Sequence, residues 1–156
     1  NLDIKGKPEL EITEYRIVPE NARAGGNAKI YLTIENKGED KAESIIIEAI
    51  ERSEQPFDFT SKNDYIGVLE PGQKAEAILS ADIKSDAEEK TYQLNLRIRA
   101  VGDKEKQDLN VYLFEKSIDI PVQKSINNLR LGVIVGVIVI LLVGGYYAYN
   151  TYIKKK

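Results

Sequence analysis

Carboxylates are the side chains of this sequence with the widest chemical reach, because its 156 residues include no His and no Cys. Acid–base work without imidazole, and nucleophilic work without thiolate, would fall to Asp, Glu, Ser, Tyr or Lys. The same absences exclude a disulfide framework and a Cys/His zinc site. The acids fall into groups: Glu9 with Glu11; Glu48, Glu51 and Glu54; Asp82, Asp86, Glu88 and Glu89; and Asp103, Glu105 and Asp108. A two-carboxylate hydrolase needs acids facing each other across a cleft. These acids are mixed with Lys at strand ends and outward positions, so they read as a solvated acidic surface and no catalytic residue is assigned. Calcium takes roughly six to eight oxygen ligands. Asp58, Asn63 and Asp64 in one stretch, and Asp82, Asp86 and Glu88 in another, offer oxygens without the spacing of a calcium loop. No metal, cofactor or small-molecule substrate is therefore expected. Pro56-Phe57-Asp58-Phe59 places two rings in an expected loop. Exposed, Phe57 and Phe59 would anchor a partner; turned inward, they would cover the end of a core.

Charge narrows the partners further. The net charge of −3 conceals an asymmetry: Arg130, Lys154, Lys155 and Lys156 lie at the C-terminal end, and all 25 acids precede them. Residues 1–128 then hold 18 basic against 25 acidic residues, a net −7. Nucleic acid is not expected as a partner, since phosphate binding needs a basic face.

The elements that must position these groups are strands. Period-two alternation places Ala28, Ile30, Leu32 and Ile34 on one face of Asn27–Asn36. Ala75, Ala77, Leu79, Ala81 and Ile83 share a face of Gln73–Ile83, and Tyr92, Leu94, Leu96, Ile98 and Ala100 share one of Thr91–Val101. Leu10–Val18, the β-branched run Ser44–Glu51, and an interrupted strand over Leu109–Phe114 and Ile118–Val122 complete about seven strands. Asn36–Asp40 and Pro71-Gly72 have turn chemistry. Short alternating strands with one polar face each, and no strand–helix alternation, imply an all-β, immunoglobulin-like antiparallel sandwich. The expected organisation is an N-terminal segment or linker over 1–7, the sandwich over 8–123 and a linker over 124–130. The chain also lacks Met, so Asn1 is expected to follow a removed segment, either a signal peptide or an upstream domain.

Residues Leu131–Ala148 carry no charge. Eighteen helical residues would extend about 27 Å, close to the roughly 30 Å of a hydrocarbon core. A single transmembrane helix over 131–149 with a basic tail over 150–156 is expected. Arg130, Tyr146, Tyr147, Tyr149, Tyr152 and Lys154–Lys156 would be its interface anchors. Gly132, Gly136, Gly144 and Ala148 would form a helix-packing stripe. The expected topology is single-pass in the cell membrane, with the sandwich outside and the C-terminus cytoplasmic. The lipid bilayer and other membrane or cell-surface proteins would be the partners.

The loops and strands resemble a known family. Asn36-Lys37-Gly38, Ala42, Ile66-Gly67-Val68-Leu69-Glu70-Pro71-Gly72 and Tyr92 occupy the places of characteristic turn and core residues in archaeal and bacterial S-layer-like, CARDB-type (cell-adhesion-related) sandwich domains. The resemblance covers roughly residues 8–122 and departs from the family at Lys90, where Gly is frequent before the Tyr strand. It implies an extracytoplasmic module that binds, spaces or assembles. The expected function is a non-enzymatic interaction module, an accessory subunit of a larger surface or membrane assembly. An S-layer or surface-filament protein, or an accessory domain of a translocon or transporter, are the alternatives.

Overall fold

The computed structural model describes residues 6–125 and 137–147. The chain divides into two compact units, Asn1–Ser125 and Ile126–Lys156. The first contains eight strands: β1 (Leu10–Val18), β2 (Asn27–Asn36), β3 (Ala42–Ile50), β4 (Phe57–Ser61), β5 (Asn63–Leu69), β6 (Lys74–Ile83), β7 (Lys90–Val101) and β8 (Val111–Val122). They form two four-stranded antiparallel sheets, ordered β1-β2-β6-β4 and β5-β3-β7-β8. The alternation read from the sequence sets the packing. Ala28, Ile30, Leu32 and Ile34 of β2 face Leu94, Leu96, Ile98 and Ala100 of β7 across one buried core. Interdigitated inner faces of this kind hold a β-sandwich together.

Two differences from the expected seven strands have a common origin. β4 and β5 are short, of mixed polarity and separated by Lys62 alone, so neither shows a long apolar alternation. The chain leaves one sheet after Ser61 pairs with Ser80, and enters the other where Asn63 pairs with Glu48. That exchange strands the Ile78 amide beyond the end of β4, and Asp64 Oδ2 accepts it at 2.8 Å. The segment expected as a loop carrying Phe57 and Phe59 is thus strand β4. The last strand is not interrupted: β8 pairs with β7 from Val101↔Val111 to Lys90↔Val122. Ser44, at φ 51°, absorbs the register shift in β3 between Ala42 and Ile45.

Asn36 is the polar node of the sandwich end. It is fully buried. Its Oδ1 accepts the amides of Glu9 (3.2 Å) and Gly38 (3.0 Å), and its Nδ2 donates to the carbonyls of Asp40 (2.8 Å) and Leu69 (3.0 Å). An Asn amide offers two acceptor sites and two donors, so its capacity is filled. Gly38 lets the Lys7–Glu9 backbone approach, because a Cβ there would stand 2.4 Å from Glu9 N and Lys7 O. The expected turn at Pro71-Gly72 is present: Gly72 has φ 78° and Gln73 N donates to Glu70 O at 3.0 Å.

The transmembrane expectation is overturned. The helix described in the second unit, α1, covers residues 137–147. Eleven residues rise about 16 Å, half of a hydrocarbon core. Among the described residues no helix is long and apolar enough to cross a membrane. The uncharged run of 131–148 therefore does not become one described helix of its own length. The single-pass placement in a cell membrane, which rested on that span, falls with it.

Candidate functional site

The inward positions of β7 fix what its other face presents. With Leu94, Leu96, Ile98 and Ala100 inside, Asn95, Arg97, Arg99 and Val101 point out. Register then builds rows across the β5-β3-β7-β8 sheet. One row is charged and internally matched: Arg97 lies between Glu48 of β3 and Glu115 of β8, at 3.3 Å from each. The next row runs Tyr65, Ile46, Arg99, Leu113. Beside it Val101 opposes Val111, and Leu109 lies just before β8. Tyr65 is 64% exposed, Leu113 61%, Val111 56% and Leu109 71%. An outward sheet face normally alternates to polar residues. This row is apolar on three of its four strands, and on the fourth is Arg99, whose guanidinium has no ion pair or hydrogen bond among the described residues. Aromatic, aliphatic and Arg side chains grouped in this way are the composition of protein contact centres.

On the outer face of the other sheet, where Ile78 is exposed, the arginine has partners. Arg16 stacks 3.6 Å over the Tyr31 ring and reaches Glu76 at 3.5 Å. Arg16, on the edge strand β1, is therefore partnered within its own sheet, whereas Arg99, on the inner strand β7, has no such partner among the described residues.

At the end of the sandwich that holds Asn36, the β2–β3 and β7–β8 loops are joined by ions. Lys41 Nζ lies 3.3 Å from Glu43, 3.4 Å from Glu105 and 3.6 Å from Asp103, and Lys104 reaches Glu43 at 3.3 Å. Lys106 pairs with the buried Asp40. Burial pushes the Glu43 carboxyl up, but the ammonium groups of Lys104 and Lys41 outweigh it and hold it below its ordinary value. Burial likewise pushes Lys41 down, and Glu43, Glu105 and Asp103 more than compensate. Tyr112 is raised by its hydrogen bond to Asp108, 2.8 Å away. Both signs of charge neutralise each other here, so this end is a clasp between loops.

A hollow of about 440 Å³ lies at the opposite end, lined by Arg52, Ser53, Gln55, Phe57, Phe59 and Lys84 among others. Phe57 is buried, packed edge-on to Tyr92 at 5.7 Å and tilted against Phe59 at 6.3 Å. Gln55 donates to Gln93 O at 2.6 Å, while its Oε1 is buried without a partner among the described residues.

The other residues singled out from sequence are dispersed. Three of the acids considered for calcium are employed locally: Asp64 accepts the Tyr65 and Ile78 amides, Asp58 lies 3.8 Å from Lys84, and Glu88 pairs with Lys90. Among the described residues no group of three acids could hold a metal ion. Gly144, Tyr146 and Tyr147 lie on α1, with both Tyr rings exposed. Gly132, Gly136, Ala148, Arg130, Tyr149, Tyr152 and Lys154–Lys156 lie outside the described residues. Sequence reasoning passed over Tyr65 and Leu113. The signal for Leu113 was Val111 and Leu113 occupying the outward positions of a strand whose inward positions, Tyr112 and Phe114, are already aromatic.

No family model matches the chain. An uncharacterized protein of Methanocaldococcus jannaschii is 37% identical over 143 residues, 90% of this chain; the chain spans 25% of that protein's length. Among solved structures, the CARDB domain of a Pyrococcus furiosus protein, determined in complex with di-metal ions, is 17% identical. It has a TM-score of 0.47 and covers 76% of this chain and 96% of that one. The C-terminal domain of wzt is 13% identical at a TM-score of 0.48, covering 81% of each chain. The two-sheet sandwich stands on the strand pairing described above, and the family resemblance drawn from the motifs stands at the level of that fold.

Proposed function

We propose that this chain is a non-catalytic protein-binding module, an accessory part of a larger protein assembly, with the outer face of the β5-β3-β7-β8 sheet as its contact surface. The observation that carries this reading is the row Tyr65–Ile46–Arg99–Leu113, apolar around a cation without a partner among the described residues, and exposed at Tyr65 and Leu113. Leaving such side chains in water forgoes the burial of apolar area worth about 25 cal/mol per Å², and a partner supplies that burial. Four acids fit the same reading, because ion pairs of the loop clasp engage Asp40, Glu43 and Glu105 and a strand-edge hydrogen bond engages Asp64 in holding the fold.

The test is the native size of the complex recovered from cells that express the tagged full chain. The parent should migrate above the mass of the chain alone. Tyr65→Ser combined with Leu113→Ser should return it to that mass, while Ile78→Ser on the other sheet should not. Equal migration of all three would contradict the assignment of this face.

A further inference from the structure

The charge pattern of the same face indicates what covers it. Arg97 is flanked within its own row by an acid on each side, Glu48 and Glu115. Arg99, one row away, is flanked by Ile46 and Leu113. No acid of its own row reaches it. The row can be continued in only one direction that is open. At the β5 side the chain passes directly into β4 of the other sheet, and Asp64 ties β5 to β6. At the β8 side no further strand follows among the described residues.

The edge of β8 is not uniformly open. Just past its end, Gln123 exchanges backbone hydrogen bonds with Ala22 and Ala24, at 2.8 and 2.9 Å. Midway, Lys116 opposes the buried Leu96, which places an ammonium group on the inward side near Glu11 at 3.8 Å. An inward charge on an edge strand is a device that blocks further pairing. Neither guard protects Val111–Glu115, where the exposed Val111 and Leu113 sit.

We propose that Val111–Glu115 is the acceptor edge for an extended segment of a partner protein that carries a carboxylate for Arg99. The inference rests on the binding-module reading above and names the partner's chemistry. An added strand lies about 4.8 Å from β8, so its outward residue opposite Leu113 stands about two spacings, or roughly 10 Å, from the backbone of Arg99. Extended Arg and Glu side chains span that distance together, closing over Leu113. The Glu would complete for Arg99 the kind of pairing that Arg97 has within the sheet. Main-chain hydrogen bonds provide the general affinity of such strand addition, and side-chain matches provide its selectivity. A second copy pairing through the same edge with Leu113 opposite Leu113 would bring no acid toward Arg99, and shifted to set Glu115 opposite Leu113 it would bring a carboxylate that Arg97 already holds, so the charge pattern favours a different partner.

The experiment uses the full chain, isotope-labelled, and three short synthetic peptides of alternating Val and Thr with Glu, Gln or Lys at the central outward position. Backbone amide shifts of Val111–Glu115 and Arg99 are followed as each peptide is added. The Glu peptide should shift these amides and bind about tenfold more tightly than the Gln peptide, the factor corresponding to ~1.4 kcal/mol. Arg99→Glu should invert the order, so that the Lys peptide binds best. Three results would overturn the proposal: no shift along β8 with any peptide, shifts indifferent to the central residue, or concentration-dependent shifts of β8 without peptide, which would mark self-pairing. The broader reading fails separately, if the Tyr65→Ser and Leu113→Ser pair leaves the native complex intact.

Discussion

Replacing Asn36 by Ala should unfasten one end of the sandwich. The side chain makes four hydrogen bonds, to the amides of Glu9 and Gly38 and the carbonyls of Asp40 and Leu69. At a net of about 1 kcal/mol per bond, their loss sums to about 4 kcal/mol. The vacated site is polar enough to admit water, which re-satisfies part of what is lost. A destabilisation of about 3–4 kcal/mol is expected, large beside the 5–15 kcal/mol that typically separates folded from unfolded domains. Urea unfolding followed by Tyr fluorescence would measure it. The midpoint should fall while the slope with denaturant stays constant, since the area exposed on unfolding is unchanged. Asn63→Ala, on the exposed start of β5, should remain within about 0.5 kcal/mol of the parent. A loss below about 1 kcal/mol for Asn36→Ala would refute the reasoning that this amide binds the N-terminal segment, the β2–β3 loop and β5 into one unit.

Leu96→Ala should cost about 2–5 kcal/mol, because Leu96 is fully buried in the core. Gln93→Ala, on the outward face of the same strand, should cost under about 0.5 kcal/mol in the same unfolding assay. Glu43 is held below its ordinary carboxyl value, so its contribution is present above pH 4.5 and is lost as pH falls through its folded value. Lys41 is raised above 10.5, so its contribution is present below that pH and is lost as pH rises past it. Stability profiles against pH should therefore lose part of their acid limb in Glu43→Gln. An unchanged acid limb would mean the loop clasp does not couple to folding.

The sandwich was legible because its long strands alternate without ambiguity. β2, β6 and β7 carry apolar residues at every second position, and that single rule gives both their faces and the core. β4 and β5 were not legible as strands, because five and seven residues of mixed polarity carry no clear period and their exchange of sheets depends on partners distant in sequence. The helix was misread for a different reason. An uncharged run states what a segment avoids, and the helix found among the described residues covers 137–147. The contact face lay in between. Arg97 and Arg99 both read as outward, but only the register of β3 and β8 shows that one is matched twice and the other has no acid in its own row.

A photoreactive side chain placed at single surface positions, followed by illumination of intact cells, tests the contact face most directly. Introduced at Leu113 or Tyr65, it should yield one discrete cross-linked species heavier than the chain, and introduced at Ile78 or Lys29 on the opposite sheet it should yield none. Cross-linking from Ile78 and Lys29 with none from Leu113 and Tyr65 would contradict the account and move the contact surface to the β1-β2-β6-β4 sheet.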